Sequence, residues 1–223
     1  MPTSPTDRML RRVAEEVKDG RVLRAMRTVP REEFVPPSAR RHAYDDAALS
    51  IGEGQTISQP LIVGMMTEAL ELRGDEHVME IGTGSGYQTA VLARLAATVV
   101  SVELIDALRV RAQETLRRLG VSNVRCRPAV ELLGAPGEAP YDAIIVTAAA
   151  PEVPDALLAQ LRVGGRLVIP VGGRREQELL ALKKTGAGTE QRPLTICRFV
   201  PLLGPDGFPE AGRTRSPDGA GQR

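Results

Sequence analysis

The fold class of this chain is determined by residues 77–86, which read His77-Val78-Met79-Glu80-Ile81-Gly82-Thr83-Gly84-Ser85-Gly86. A short apolar run leads into three glycines at alternate positions, and Tyr87 then begins a segment with helical spacing that continues to about residue 96. Glycines permit a tight turn and let a ligand approach the backbone closely, so a strand, a glycine-rich loop and a helix in this order are typical of nucleotide-binding proteins. The stretch therefore predicts the first strand of an α/β sheet and its ligand-binding loop.

The alternation of strand and helix continues downstream of this loop. The predicted elements are a strand at 98–102 ending at Glu103, a helix at 105–119 closed by Gly120, strands at 123–127 and 141–146, a helix at 154–161, a strand at 164–171, and closing strands at 179–183 and 195–200. Residues 141–146 are almost continuously apolar, as parallel strands covered on both faces are. The pattern predicts a doubly wound, mostly parallel sheet, and the two closing strands could pair in antiparallel fashion.

The segment before the sheet is less regular. Met9 begins a predicted helix that Gly20 would terminate as a C-cap, and a second helix is expected over about 21–28. Residues 31–60 contain many turn-forming residues and are interpreted as an irregular segment with short strands, followed by a helix over about 60–71.

One domain is predicted over residues 8–203. Residues 8–75 would form an N-terminal, substrate-facing segment and residues 76–203 the cofactor-binding sheet. The polar residues 1–7 and the Gly-, Pro- and charge-rich residues 204–223 are expected to be disordered.

Composition and charge exclude several classes of protein. The 223 residues carry 29 Lys plus Arg and 28 Asp plus Glu, a net charge of +1, which does not predict nucleic-acid or membrane binding. There is no run of 18 apolar residues and no secretory signal, and Cys126 and Cys197 have no metal-binding spacing. We expect a soluble, cytoplasmic monomer with two free thiols and no metal site.

The loop itself indicates which cofactor it binds. A dinucleotide fingerprint counted from Gly82 would need glycine or alanine where Tyr87 stands, and counted from Gly84 it meets Thr89. S-adenosylmethionine carries no phosphate, and a G-x-G-x-G loop suits its amino-acid and sugar portions. Glu103, which is 21 residues after Gly82, is placed to accept hydrogen bonds from two ribose hydroxyls, and Glu80 could hold the cofactor's ammonium group directly or through water. The predicted cofactor-binding residues of this region are Glu80, Gly82, Thr83, Gly84, Ser85, Gly86, Glu103 and Leu104.

Several segments outside the loop resemble one family. They are Val29-Pro30-Arg31-Glu32-Glu33-Phe34-Val35-Pro36, Ala43-Tyr44-Asp45-Asp46, Gly54-Gln55-Thr56-Ile57-Ser58-Gln59-Pro60, the stretches 139–150 and 164–172, and Arg198-Phe199-Val200-Pro201-Leu202. Together they resemble the protein-L-isoaspartate O-methyltransferases over roughly residues 8–203, and the Gly-Gln-Thr-Ile-Ser-x-Pro motif is highly specific to that family.

This resemblance implies a fold and a reaction. The fold would be the Rossmann-like sheet of class I S-adenosylmethionine-dependent methyltransferases. The reaction would move a methyl group to the free carboxylate of L-isoaspartyl residues in damaged proteins and peptides, and the ester would then close to a succinimide and allow repair. Ser58 would be the catalytic-site serine that orients the acceptor carboxylate, and Gln55 and Thr56 would line the cofactor pocket. His42 is not needed as a base, because a carboxylate is already ionised at neutral pH.

The chain departs from the family at one place. Where the family carries Gly-Asp-Gly with an adenine-binding acid, this sequence has Ala129-Val130-Glu131. Glu131 could supply the missing acceptor, or backbone and apolar contacts at Val130 could hold the adenine instead. The change leaves open a related methyltransferase of ordinary aspartyl residues and a non-catalytic, cofactor-binding paralogue. An NAD-dependent oxidoreductase is disfavoured by Tyr87.

Overall fold

The computed structural model of the protein describes residues 4–204 and 206–209. The helices are α1 Pro5–Val13, α2 Gly20–Thr28, α3 Pro60–Ala69, α4 Tyr87–Ala93, α5 Asp106–Arg118 and α6 Asp155–Gln160, with short 3₁₀ turns at Arg31–Phe34, Pro37–His42 and Pro136–Glu138. The strands are β1 Leu49–Gly52, β2 Gln55–Ile57, β3 His77–Ile81, β4 Thr98–Glu103, β5 Val124–Pro128, β6 Tyr141–Val146, β7 Leu161–Gly172, β8 Gln177–Thr185 and β9 Gly188–Cys197.

Seven strands form one sheet in the order β5-β4-β3-β6-β7-β8-β9. The first five in this order run parallel, while β8 pairs antiparallel with both β7 and β9. The chain progresses from β3 outward to β5 and then returns to the other side of β3 with β6. This reversal creates the crevice between β3 and β6 in which open α/β sheets bind ligands. The predicted doubly wound, mostly parallel sheet is confirmed.

Alternating side chains of the central strands pack into two layers. From β3, Val78 faces a cluster with Met66 and Leu92, which belong to α3 and α4. Its neighbour Met79 faces the opposite cluster, which contains Leu157 of α6. Because both faces of the sheet are covered by helices, the central strands can be apolar along their whole length.

The N-terminal helix differs from its prediction at both ends. It begins at Pro5, where the side chain of Ser4 accepts a hydrogen bond from the Asp7 amide at 3.1 Å, so the expected disorder of residues 1–7 is wrong for residues 4–7. Residues 1–3 lie outside the described residues. Gly20 is the first residue of α2 and not the cap of α1, because the Asp19 side chain caps the second helix by accepting from the Arg21 amide at 2.8 Å.

The C-terminal part also departs from the predictions. Strand β9 covers residues 188–197, earlier in the chain than the expected 195–200. The expected disorder from residue 204 is wrong where the chain is described, because the Phe208 amide donates to the Leu202 carbonyl at 2.7 Å and closes a turn. Residues 205 and 210–223 lie outside the described residues. The other predicted elements agree with the observed ones to within a few residues. Over the described ranges, no helix is long and apolar enough to cross a membrane.

Candidate active site

The glycine loop lies at the carboxyl edge of the sheet, between the ends of β4 and β6. Gly82, Gly84 and Gly86 have φ angles of +95°, +52° and +88°, which only glycine adopts without strain. The Gly82 amide donates to the Val102 carbonyl at 2.8 Å, and the Thr147 amide donates to the Ile81 carbonyl at 2.9 Å. The loop is therefore held from both sides, by the strands next to β3.

A small cleft opens above this loop. It is lined by Thr56, Ile57, Ser58, Val63, Gly82, Thr83, Gly84, Ser85, Tyr87, Gln88 and Thr147. The predicted residues Thr56 and Ser58 thus meet Gly82, Thr83, Gly84 and Ser85, although more than twenty residues separate the two groups in sequence. The cleft joins the specific Gly54–Pro60 motif to the cofactor loop.

The β1–β2 hairpin carries Ser58 to the loop. A methyl group on Gly84 would lie 3.7 Å from the Ile51 side chain, so the hairpin packs directly over the loop. Ile57 is buried and anchors the end of β2. The next residue, Ser58, is half-buried, and its carbonyl oxygen accepts a hydrogen bond from Arg31 Nη2 at 2.6 Å. Its position is therefore fixed through the backbone.

Glu103 is buried at the end of β4 and faces the loop. Its Oε2 accepts from the Gly84 amide at 2.7 Å and its Oε1 accepts from the Ile105 amide at 2.9 Å. A carboxylate has about four lone-pair sites, so each oxygen retains one acceptor site. This arrangement fits the two hydroxyls of a ribose. The neighbouring Leu104 is exposed and offers an apolar surface at the same edge.

Glu80 lies beneath the loop and does not line the cleft. Its side chain is completely buried, and its Oε2 accepts from Thr89 Oγ1 at 2.5 Å and from Ser101 Oγ at 2.6 Å. Ser101 in turn shares a hydrogen bond of 2.5 Å with Thr83, which does line the cleft. Burial raises the pKa of Glu80 to about 8, against the two hydroxyl donors, which lower it, and with a further rise from the charge of Glu103. Its Oε1 has no hydrogen-bond partner among the residues that the structure describes.

Seven predicted cofactor residues lie outside the cleft lining: Gln55, Glu80, Gly86, Glu103, Leu104, Val130 and Glu131. The Gln55 side chain donates back to the Glu53 carbonyl. Val130 is 65% exposed and Glu131 is also exposed. Both follow Ala129, whose amide donates to the Glu103 carbonyl at 2.8 Å. The segment with the altered motif therefore starts beside Glu103, with its side chains directed to the surface.

The structure adds five side chains that the sequence did not assign to the site: Ile57, Val63, Tyr87, Gln88 and Thr147. Small residues after β6 are expected to leave space for a ligand, and that signal points to Thr147. Tyr87 and Gln88 carry no such signal, because they read as the start of an ordinary helix.

The remaining candidate residues lie apart from the cleft. His42 is 49% exposed and its Nδ1 lies 2.8 Å from an Asp45 oxygen, which agrees with a surface role. Both cysteines are free thiols. Within the described residues no group of three His, Cys, Asp or Glu side chains could hold a metal ion.

S-adenosylmethionine fits these residues on two observations. A side chain on Gly82 would collide with Thr147 Oγ1, so only glycine lets the loop pass this closely by Thr147, and both residues line the cleft. Glu103 adds free acceptor sites at the end of the neighbouring strand. The loop provides no cluster of cationic side chains for a pyrophosphate, since its lining residues are uncharged.

Comparison with known proteins gives the same assignment. The family model described as protein-L-isoaspartate(D-aspartate) O-methyltransferase matches residues 6–206. The protein-L-isoaspartate O-methyltransferase of Methanoculleus marisnigri is 54% identical over 195 residues, which cover 87% of this chain and 89% of that protein. Its counterpart from Magnetococcus marinus is 51% identical over 193 residues, covering 86% and 85%.

Two solved structures are similar to this one. A protein-L-isoaspartate O-methyltransferase superposes with a TM-score of 0.81 at 30% identity, over 91% of this chain and 67% of that chain. A Plasmodium falciparum structure in complex with S-adenosyl-L-homocysteine superposes with a TM-score of 0.76 at 23% identity, over 89% and 98%, and supports the fold. With its family model matched over most of its length, its motifs joined in one cleft and relatives at about half identity, the chain belongs to the protein-L-isoaspartate (D-aspartate) O-methyltransferase family.

Proposed function

We propose that this protein transfers a methyl group from S-adenosylmethionine to the free carboxylate of L-isoaspartyl residues in damaged proteins and peptides. The observation that supports this most is the meeting of the Gly54–Pro60 motif with the cofactor loop in one cleft. The methyl ester is more electrophilic than a carboxylate and has methoxide as its leaving group, so the backbone amide nitrogen of the following residue can attack the ester carbonyl carbon, release methanol and form a succinimide. Opening of that ring restores a normal aspartyl linkage in part of the molecules, which is the repair.

The reaction places modest chemical demands on the protein. When bound, S-adenosylmethionine supplies a methyl carbon on a positively charged sulfur, which a carboxylate can attack directly. The acceptor is ionised at neutral pH and needs no general base. The residues of the cleft therefore act by positioning, which can contribute about 7–11 kcal/mol in favourable cases. Ser58 has the central role, since its hydroxyl can donate a hydrogen bond to the acceptor carboxylate and orient it.

The cofactor would be held by three groups of residues. Loop residues 82–86 provide space and backbone donors, and Glu103 accepts from the ribose. Leu104, Val130 and Glu131 lie along the edge where the adenine would extend, while Gln55 and Thr56 approach from the hairpin side. Glu80 supports Thr83 and the loop from beneath through Ser101. We assign to it this supporting role in place of direct contact with the ammonium group.

The proposal also covers the partners, the oligomeric state and the location of the protein. A net charge of +1 supports a protein whose partners are peptides and proteins and not nucleic acid or membranes. We further propose that it acts as a monomer in the cytoplasm.

The function can be tested with three matched peptides and labelled S-adenosylmethionine. The peptides carry isoaspartate, aspartate, or isoaspartate with its free carboxylate replaced by a carboxamide. We expect label in the first peptide and background in the other two. Preferential labelling of the aspartyl peptide, or tight cofactor binding in calorimetry without transfer to any peptide, would contradict the proposal.

A further inference from the structure

Arg31 is one of the largest completely buried side chains among the described residues, and it carries a charge. No carboxylate among the described residues forms an ion pair with it; the charge of Asp46 acts on it only from a distance, and burial of a charge without a close partner is costly. Burial lowers the pKa of Arg31, but a guanidinium keeps its charge in proteins. A fully buried cation without an ion-pair partner needs an explanation, because an apolar side chain would fill the same volume at lower cost.

Two of its hydrogen bonds reach the substrate side of the site. Nε donates to the Ala43 carbonyl at 2.7 Å, and Nη2 donates to the Ser58 carbonyl at 2.6 Å. Ala43 directly follows the second 3₁₀ turn, Pro37–His42, and Ser58 directly follows β2. One side chain thus fixes the backbone of the residue that is expected to orient the acceptor.

Its third contact reaches the cofactor side. The guanidinium carbon lies 4.7 Å from the centroid of the Tyr87 ring, in cation–π geometry. Tyr87 is the first residue of α4, directly after Gly86 of the loop, and Phe34 packs edge-on against it at 5.7 Å between centroids. Both Tyr87 and Ser58 line the cleft, whereas Arg31 does not.

We propose that Arg31 is a positioning residue for methyl transfer, which holds Ser58 at a set distance from the cofactor loop by joining the Ser58 carbonyl to the Tyr87 ring. The inference rests on the proposed function, since it assigns Ser58 to the acceptor side and the loop to the cofactor side. Arg31 touches neither ligand and acts through the two residues that it connects.

The shape of the guanidinium explains why arginine occupies this position. Its donors lie in one plane and point outward to the two carbonyls, while its flat face remains available for the aromatic ring. Lysine has a single ammonium at the end of a flexible stem and cannot make all three contacts in this fixed arrangement. Methionine would fill much of the space but would leave the Ser58 carbonyl without its donor.

The test compares Arg31→Lys and Arg31→Met with the unmodified enzyme. Steady-state rates with the isoaspartyl peptide give kcat and KM, calorimetry gives the S-adenosylmethionine dissociation constant, and thermal unfolding shows that each variant is folded at the assay temperature. A small misplacement of reacting groups can cost about 100-fold in rate, so we expect kcat to fall by up to roughly that factor in both variants. The cofactor dissociation constant should stay within about threefold of its original value, because the loop contacts themselves remain.

Met26→Ala is the matched control for general destabilisation. Met26 is fully buried in the same apolar cluster as Phe34 and Tyr87 and does not line the cleft. The Met26→Ala variant should be less stable than the unmodified enzyme but should retain its kcat. Retention of kcat by Arg31→Lys, or an equal loss of kcat in Met26→Ala, would overturn the positioning role. If the unmodified enzyme does not methylate the isoaspartyl peptide, the proposed function fails instead.

Discussion

The hydroxyl of Thr147 donates a hydrogen bond to the Gly82 carbonyl oxygen at 2.7 Å, and it occupies the space where a side chain on Gly82 would project. Thr147 follows β6 and Gly82 follows β3, so this contact joins the ends of the two strands at the point where the strand order reverses. The first turn of the cofactor loop therefore depends on a glycine for its conformation and for its space.

Gly82→Ala should weaken cofactor binding strongly. A left-handed conformation at a residue other than glycine costs about 1–3 kcal/mol, and here the added methyl group must also displace Thr147. We expect the S-adenosylmethionine dissociation constant to rise at least about tenfold in calorimetry, together with a lower unfolding temperature.

The variant Gly120→Ala is the control that separates the effect of backbone strain from the effect of a steric collision. Gly120 has a φ angle of +70°, but no atom of the described part of the chain lies within 4 Å of the position of an added methyl group. This control should lose stability and keep the cofactor affinity. Equal affinities in the two variants and the original protein would show that the Gly82 contact does not shape the cofactor site.

The loop and its strands could be predicted because their signals are local. The apolar run before Gly82, the alternate glycines and the position of Glu103 at a strand end each lie within a few residues of one another. Local signals are not sufficient at Gly20. A glycine is typical of a helix end, but the amides of Lys18 and Asp19 donate hydrogen bonds to Glu68, and these bonds fix the turn between α1 and α2. Glu68 is almost fifty residues away in sequence.

In the candidate site, too, some features could be predicted from the sequence and others could not. The resemblance to a family connected Ser58 with the loop, and the structure places both in one cleft. The function of Arg31 could not be predicted, since it depends on contacts with Ala43, Ser58 and Tyr87, which meet only in the fold. The segment around Arg31 resembles the family, but that resemblance does not show that the side chain is buried.

Ser58→Ala should reduce catalysis without affecting the cofactor. A hydrogen bond to a charged group contributes about 1.5–3 kcal/mol, so loss of the hydroxyl should lower kcat/KM for the isoaspartyl peptide by roughly 10- to 100-fold. The Ser58 carbonyl and its bond from Arg31 remain in the variant. Steady-state kinetics measure the effect, and calorimetry should give an unchanged S-adenosylmethionine affinity.

Ser50→Ala is the control for this prediction. Ser50 is exposed on the neighbouring strand β1 of the same hairpin and does not line the cleft. It should keep its activity. If Ser58→Ala is as active as Ser50→Ala, the hydroxyl does not orient the acceptor.

Val130→Asp should tighten cofactor binding. The resemblance to the family implies an adenine-binding acid where Val130 stands, and the 65% exposure of Val130 allows the substitution without a change in the core. One hydrogen bond contributes about 0.5–1.5 kcal/mol, so the S-adenosylmethionine dissociation constant should fall by roughly 2- to 10-fold in calorimetry. Leu132→Asp adds the same charge at a residue with 66% exposure and should have no such effect.

Glu131→Gln identifies the alternative acceptor. If Glu131 already binds the adenine, this variant weakens the affinity and Val130→Asp gives no gain. That pair of results would contradict the prediction for Val130 and place the missing acceptor one residue later in the chain.

Glu80 should make the stability of the cofactor-free protein depend on pH between about 5 and 8. Its pKa is about 8 in the folded protein against an ordinary value of 4.5, so in this range the folded state binds the proton more tightly than the unfolded state does. Stability falls with rising pH wherever the folded state holds more protons, and the contribution of Glu80 to the free energy of unfolding is therefore complete below its unfolded pKa and lost as pH approaches 8.

The variant Glu80→Gln tests this prediction, because its side chain cannot titrate and its hydrogen-bonding partners Thr89 and Ser101 remain. Urea unfolding at a series of pH values should show a decline in the free energy of unfolding for the unmodified protein that is smaller in the variant. All other titrating groups are common to both proteins and cancel in the difference. Two parallel curves would show that the buried carboxyl group has an ordinary pKa, and that the hydroxyls beneath the loop stabilise its charged form.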